Sequence, residues 1–377
     1  MRSKRRASSP SRRVRPLASL LALVAAQAAC SDTGTPPPEG RVVEGVDLDV
    51  LFAAPEPAEV AAVSAEWAGR TPGAAGVVTE KDSTVSAAGL ELRVRVVSHD
   101  VGGVRHFGAV LTPEGLAGPA PVVVYAHGGD DGASVEELIF TLGFVGSSAG
   151  DFVWVLPSFR AEPLRFGGAE WTSDGPPSPW DRDVDDALSL LDVALALEPV
   201  ADPDRIGVIG LSRGAGVGML MGIRDARVDR VVEFFGPTDF FGPFVQEVVE
   251  EALRGSLRDL PGLSFLDEAF IQPLRRGELT VADVRPELIR RSAVLFADRL
   301  PALQLHHGSA DMVVEVSQAE SLIAAMAALN RGEPGFQAFI YPGGTHNPLT
   351  MPGSIPSAVA FLGELRMLPA TASRPAG

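Results

Sequence analysis

The sequence has a single cysteine, Cys30, among its 377 residues. An intramolecular disulfide is therefore excluded, and a cysteine-built zinc site with it. No apolar run reaches the ~20 residues that cross a bilayer; the stretch at 16–29 has 14. Internal repeats are absent. Positive charge is scarce beyond the start of the chain. Lys and Arg number 32 against 48 Asp and Glu, a net charge of −16, and seven of the basic residues lie in the acid-free segment 1–15, so the remainder carries −23. A body this acidic repels phosphate backbones, which argues against a nucleic-acid partner. What is present is 46% hydrophobic and 21% charged residues, the balance of a globular chain and not a disordered one.

The basic segment 1–15 followed by the apolar segment 16–29 reads as a signal peptide over 1–29. It ends Ala28-Ala29-Cys30, which resembles the bacterial lipobox, whose cysteine is lipidated and becomes the new N-terminus. Gln27 departs from that pattern, where leucine is usual. The expectation is a lipoprotein of the bacterial cell envelope, anchored to the membrane through Cys30; plain secretion after cleavage near Ala29 is the alternative. Residues 30–45, Pro-rich at 31–40, read as a tether. An N-terminal extension at 46–89 has no assigned role and holds one helix near 59–67. A catalytic domain occupies 90–368, and 369–377 is expected to be a disordered tail.

From residue 90 onward two patterns alternate. Segments 90–98 and 105–112 suit an antiparallel pair joined by a Gly-Gly turn. Short β-branched runs at 121–126 and 152–156 suit strands buried on both faces, and further strands are read at 205–210, 228–234, 301–306 and 336–341. Helical periodicity falls between or after them, at 181–198, 214–223, 315–329 and 355–365. This alternation predicts an α/β fold: a mostly parallel eight-stranded sheet with helices on both faces. A helical insertion at 237–299, expected as a cap, precedes the seventh strand.

Ligands of such sheets bind outside the carboxyl ends of the strands. There Gly210-Leu211-Ser212-Arg213-Gly214 leaves a strand and opens a helix, the G-x-S-x-G nucleophile elbow. A second match, Gly146-Ser147-Ser148-Ala149-Gly150, lies between a helix-like stretch and a strand, the wrong context for Ser148. A serine hydroxyl needs a base, and the base needs an acid. His346 lies in a glycine-rich loop after the last strand. Asp311 is the first carboxylate beyond the strand at 301–306; Asp239, after the preceding strand, is its rival. His306 and His307 read as structural, one of them able to pin the acid-bearing turn. An oxyanion would be held by two backbone N–H groups: that of Arg213, after the serine, and that of Gly129 in His127-Gly128-Gly129-Asp130, with Asp130 as the neighbouring possibility. The aromatic run from Phe234 to Phe241 is a candidate apolar acyl pocket or, equally, packing between cap and core.

These motifs resemble the α/β-hydrolase superfamily, and more closely the catalytic domain of the prolyl oligopeptidase family of serine peptidases. Besides the elbow, the matching segments are His127–Gly129, Leu156-Pro157-Ser158-Phe159-Arg160, the run from Trp180 to Asp186, Asp202-Pro203-Asp204-Arg205-Ile206-Gly207 and the run from His306 to Asp311. The resemblance implies a Ser212–Asp311–His346 triad, an acyl-enzyme, no metal or organic cofactor, and a small peptide or ester substrate. His-Gly-Gly-Asp stands where the family usually carries Tyr-Gly-Gly-Pro, and the segment before the catalytic domain is too short for the family's β-propeller. Carboxylesterase is therefore the alternative to peptidase, with a non-catalytic binding protein on the same scaffold as a third reading.

Overall fold

The β-branched runs become the middle of one nine-stranded sheet. In a computed structural model the described residues are 40–369, apart from 71, 72, 74, 88 and 117. The expected signal peptide, Cys30 and residues 370–377 of the expected tail lie outside them. The strands are β1 (Ala75–Ala87), β2 (Leu90–Val101), β3 (Val104–Pro113), β4 (Ala120–Ala126), β5 (Val153–Pro157), β6 (Ala201–Leu211), β7 (Val228–Phe234), β8 (Ala302–Gly308) and β9 (Phe336–Tyr341). Their spatial order is β9-β8-β7-β6-β4-β5-β3-β2-β1. The strands from β9 through β5 run parallel, and the other three extend one edge as an antiparallel meander.

Side chains alternate across the parallel strands, as a two-residue period requires. Val122, Val124, Val155, Val208 and Val231 join one buried cluster with the helices α3 (Arg182–Leu197), α4 (Arg213–Arg224) and α7 (Ser317–Ala328). Val123, Tyr125, Trp154 and Val232 face the other way, against α2 (Val135–Val145) and α8 (Ser354–Gly363). Both faces of the sheet are thus covered, which is why these strands read as continuous apolar runs.

The sheet has nine strands and not the expected eight. The additional one is β1, inside the segment read as an extension. None of its residues is buried, and from Lys81 to Ala87 they alternate only between half-buried and exposed; Glu80, Lys81 and Asp82 sit in its middle. Charge of this kind suits an edge strand that pairs on one side only. The expected tether also ends earlier than residue 45: Val42–Val43 pairs with Val46–Asp47, and Val43 and Val46 enter the core.

The extension braces the insertion. Its helix α1 (Pro57–Ala68) buries Val63 and Trp67. Glu59 and Glu66 form bidentate pairs with Arg285 and Arg290 of the insertion. Between β7 and β8 the insertion is helical, as expected, with α5 (Pro243–Leu253) and α6 (Val281–Ile289) as its regular helices and shorter turns between them. Among the described residues no helix is long and apolar enough to cross a membrane.

Candidate active site

Strand β6 runs straight into α4, and the junction is Ser212. Its backbone is forced to φ 53°, ψ −121°, a left-handed conformation that a non-glycine residue holds only under local constraint. The flanking glycines serve close approach. A Cβ on Gly210 would lie 2.2 Å from the Gly214 carbonyl oxygen, and one on Gly214 would lie 2.0 Å from that of Ala126. The strain therefore falls on the serine, and the glycines let the helix start pack down onto β4. Ser148, by contrast, lies in a 3₁₀ turn between α2 and β5.

Asp311 and His346 come from the loops after β8 and β9. His346 donates from Nδ1 to Asp311 Oδ2 at 2.8 Å. The other carboxylate oxygen accepts the N–H groups of Val313 and Val314 at 2.9 and 3.0 Å, which fixes the plane of the acid. The two loops meet because Gly308 has no side chain: a Cβ there would lie 2.3 Å from the Gly344 carbonyl. Ala310 then donates to the Gly344 oxygen at 2.8 Å. His307 donates from Nε2 to the Val314 carbonyl at 2.8 Å and so pins the acid-bearing turn. His306 bonds Tyr341 and Gln304. Asp239 makes no such approach; its Oδ1 accepts the N–H of Phe241 at 2.9 Å.

Sequence reading missed the seat of the imidazole. Phe235, with φ 45°, places its ring 4.2 Å from that of His346. The preceding residue, Phe234, accepts the Ser212 N–H at 2.9 Å. One short segment thus touches both the elbow and the histidine.

The loop after β4 lies against the serine: a Cβ on Gly128 would be 3.3 Å from Ser212 Cβ. His127 donates from Nδ1 to the Gly128 carbonyl at 3.0 Å. The C=O and N–H of a trans peptide point in opposite directions, so this bond also sets the direction of the Gly129 N–H. Burial pushes the His127 imidazole down to about 4, so the ring is neutral near pH 7.

Arg213 was singled out for its backbone, but its side chain organises the rear of the site. The guanidinium is buried; it bonds Asp183 at 2.9 Å, the Gly129 carbonyl at 3.3 Å, and Glu162. Burial pushes Glu162 up to about 7, against the pull of Arg213. Arg160 holds Asp186 through two nitrogens. The motif segments around Arg160 and Asp183 pointed here; Glu162 carried no signal, since its partner lies 51 residues away.

On its other side Ser212 borders an apolar cavity of about 80 Å³, walled by Trp180, Phe240 and residues of the insertion such as Phe244 and Leu263. The aromatic run divides between several tasks: Phe234 stacks on His306, Phe235 lies tilted against His346, Phe240 lines the cavity, and Phe241 meets Phe52.

No protein-family model matches the chain, and no curated protein matches it. Solved structures do. Acetyl xylan esterase 1 from Thermoanaerobacterium sp. JW/SL YS485 superposes with a TM-score of 0.53 at 20% identity, over 82% of this chain and 92% of its own. Acetyl xylan esterase from Paenibacillus sp. R4 gives 0.52 at 15% identity, over 84% and 98%.

The fold is that of the α/β-hydrolases.

In an open α/β sheet the carboxyl ends of the strands are where ligands are expected. Here those ends hold Ser212, Asp311, His346 and the Gly128-Gly129 loop.

Proposed function

We propose that the protein is a serine hydrolase that works through an acyl-enzyme on ester or peptide bonds. The observation that carries this reading is the 2.8 Å bond from His346 Nδ1 to Asp311: it joins two strand-end loops and leaves Nε2 as the nitrogen free to act as base. Ser212 Oγ attacks the substrate carbonyl carbon while its proton passes to His346 Nε2. The carbonyl oxygen becomes an oxyanion, held by the N–H groups of Arg213 and Gly129. A preorganised donor of this kind is worth ~2.7–4 kcal/mol in the transition state. Collapse breaks the bond to the leaving group, which takes the proton from His346. Water repeats the cycle and releases the acid, with Asp311 orienting the imidazole and stabilising its cation. The test is labelling by a fluorophosphonate probe. Ser212→Ala is expected to lose both labelling and turnover, and Ser148→Ala to keep both; labelling that persists in Ser212→Ala would remove the serine from the mechanism.

We also propose export and lipidation at Cys30, which explains the basic start, the short apolar segment and the sole cysteine together. One acyl chain anchors marginally and stable attachment needs a second signal, which the lipobox modification supplies by resemblance. Intact mass is expected to show a mature chain starting at a modified Cys30, with Cys30→Ser released or unprocessed. An N-terminus at Ser31 or beyond would leave secretion as the correct reading.

A further inference from the structure

The loop that carries Gly129 is held by two of its carbonyls. His127 Nδ1 donates to the Gly128 oxygen at 3.0 Å, and Arg213 Nη1 to the Gly129 oxygen at 3.3 Å. Behind both donors stands Glu162, in the loop after β5. Its Oε1 accepts from Arg213. Its Oε2 lies 3.7 Å from His127 Nε2, beyond hydrogen-bond reach. Both of these atoms are buried and neither has a hydrogen-bond partner.

The Gly128 carbonyl can only accept. A neutral His127 therefore carries its proton on Nδ1 and turns a bare lone pair at Nε2 toward Glu162. An ionised Glu162 would set a second lone pair against it. Two buried acceptors facing each other are unfavourable, and one proton between them removes the conflict.

The balance of charge agrees. Arg160 and Arg213 are buried with Asp183, Asp186 and Glu162, two cations with three acids. Arg160 holds both oxygens of Asp186. Asp183 Oδ2 accepts from two nitrogens of Arg213, at 2.9 and 2.8 Å, and from the Trp180 N–H at 3.1 Å, which favours its ionised form. Asp185 turns away to Arg182 and Arg224. His106, 3.4 Å from Asp186, is kept neutral by burial. The excess acid is Glu162, the one with a base in front of it. Burial raises it, and the like charges of Asp183 and Asp130 add to that against the pull of Arg213.

Resting on the serine-hydrolase reading, we infer that Glu162 and His127 are positioning residues of the oxyanion hole: they share one proton, on Glu162 Oε2 facing His127 Nε2, and it keeps the imidazole in the Nδ1–H form that aims the Gly129 N–H. The pair titrates as a unit. When its shared proton leaves to solvent, the proton remaining on the imidazole moves from Nδ1 to Nε2, facing the carboxylate. Nδ1 then turns a lone pair on the Gly128 oxygen, the loop loses that anchor, and the hole loses the aim of one donor.

Nitrogen-15 spectra of histidine-labelled protein read the tautomer directly, with the His127 signals assigned by their loss in His127→Gln. The wild type is expected to show Nδ1–H at pH 5.5 and Nε2–H at pH 9. In Glu162→Gln the amide donates to Nε2, its oxygen accepts from Arg213, and nothing ionises; Nδ1–H is expected at both pH values. kcat and KM on p-nitrophenyl butyrate are followed in parallel. Wild-type kcat is expected to fall about tenfold toward pH 9 at nearly constant KM, part of the ~10²–10³-fold that loss of a hole donor costs. Glu162→Gln is expected to stay within about threefold of the wild-type maximum and to lose that fall, and Glu162→Ala to lose about tenfold in kcat at every pH. A His127 tautomer that is the same at both pH values in the wild type, or a kcat profile of the same shape in the wild type and Glu162→Gln, would overturn the inference, while fluorophosphonate labelling of Ser212 upheld the hydrolase. If the variants at 162 do not fold, the wild-type spectra decide alone. Absence of labelling at Ser212 would sink the underlying reading, and the role in catalysis with it, whatever the tautomer.

Discussion

Strands β7 and β8 are neighbours in the sheet, and each sends an aspartate past its carboxyl end. Beyond β8, two backbone N–H groups occupy one oxygen of Asp311 and His346 takes the other. Beyond β7, Asp239 closes its own turn through Phe241, and Gln318 holds that turn from α7 by accepting the N–H groups of Thr238 and Asp239. A second acid, Glu233, lies inside β7 itself, fully buried, with one oxygen on the Gly236 N–H at 2.9 Å and the other without a partner. Residue type and strand end are shared by the two aspartates. What separates them is how each turn spends its N–H groups, and whether an oxygen is left facing a base.

The comparison breaks most readily at the aspartates. Asp311→Asn is expected to lower kcat by ~10⁴-fold, the scale seen when the orienting acid of a triad becomes an amide. Asp239→Asn is expected to change kcat by less than about threefold, since a turn cap contributes to stability, ~1–3 kcal/mol for a carboxylate acceptor, and nothing to the imidazole. The reverse ranking, with both variants folded by circular dichroism, would transfer the acid to the end of β7.

Glu233 sharpens the comparison from the side of stability. No cation faces it, and burial pushes its carboxyl up to about 8. From ~4.5 to 8 the folded chain keeps a proton that the unfolded chain has released, so stability falls as pH rises through that window. The slope is at most ~1.4 kcal/mol per pH unit for one group. Glu233→Gln keeps an acceptor for Gly236 and cannot ionise. Unfolding free energies from urea titrations at pH 5.5 and 8.5 are expected to differ less in the variant than in the wild type, by about 3 kcal/mol. Equal slopes in the two proteins would mean that Glu233 is ionised when folded.

The parts legible in the sequence are those whose chemistry is local. The elbow, the acid-bearing turn and the histidine loop each place a polar residue beside glycine at the end of an apolar run. The central strands β4 and β5 are legible because burial on both faces leaves a dense β-branched signature. The rest is set by distance or by exposure. Glu162 meets Arg213 across 51 residues, which no local pattern encodes. Strand β1 has no buried residue, and its alternation runs only between exposed and half-buried. The hairpin Pro163–Phe166 and Ala169–Thr172 is four residues a side, too short for a period to register. The aromatic run showed its composition but not its partition, because each ring's direction depends on the backbone it leaves.

Phe235 is where that dependence bears on the chemistry, and it gives the smallest effect expected. Its φ of 45° turns the chain so that its N–H reaches the His306 carbonyl at 2.9 Å while its ring lies against His346. With Nδ1 held by Asp311, the imidazole keeps one soft motion, a tilt about that hydrogen bond, and the phenyl ring blocks it from one side. An aromatic pair is worth ~0.5–1.5 kcal/mol beyond its buried area. Phe235→Leu fills much of the same space without a flat face. Its kcat is expected to fall roughly 2- to 13-fold, the equivalent of that energy, with KM on p-nitrophenyl butyrate unchanged, because the ring touches the base and not the cavity. A change confined to KM would make Phe235 part of the substrate wall. No change in either constant would mean that Asp311 alone holds the imidazole, and that the end of β7 contributes its carbonyl to the elbow and nothing to the base.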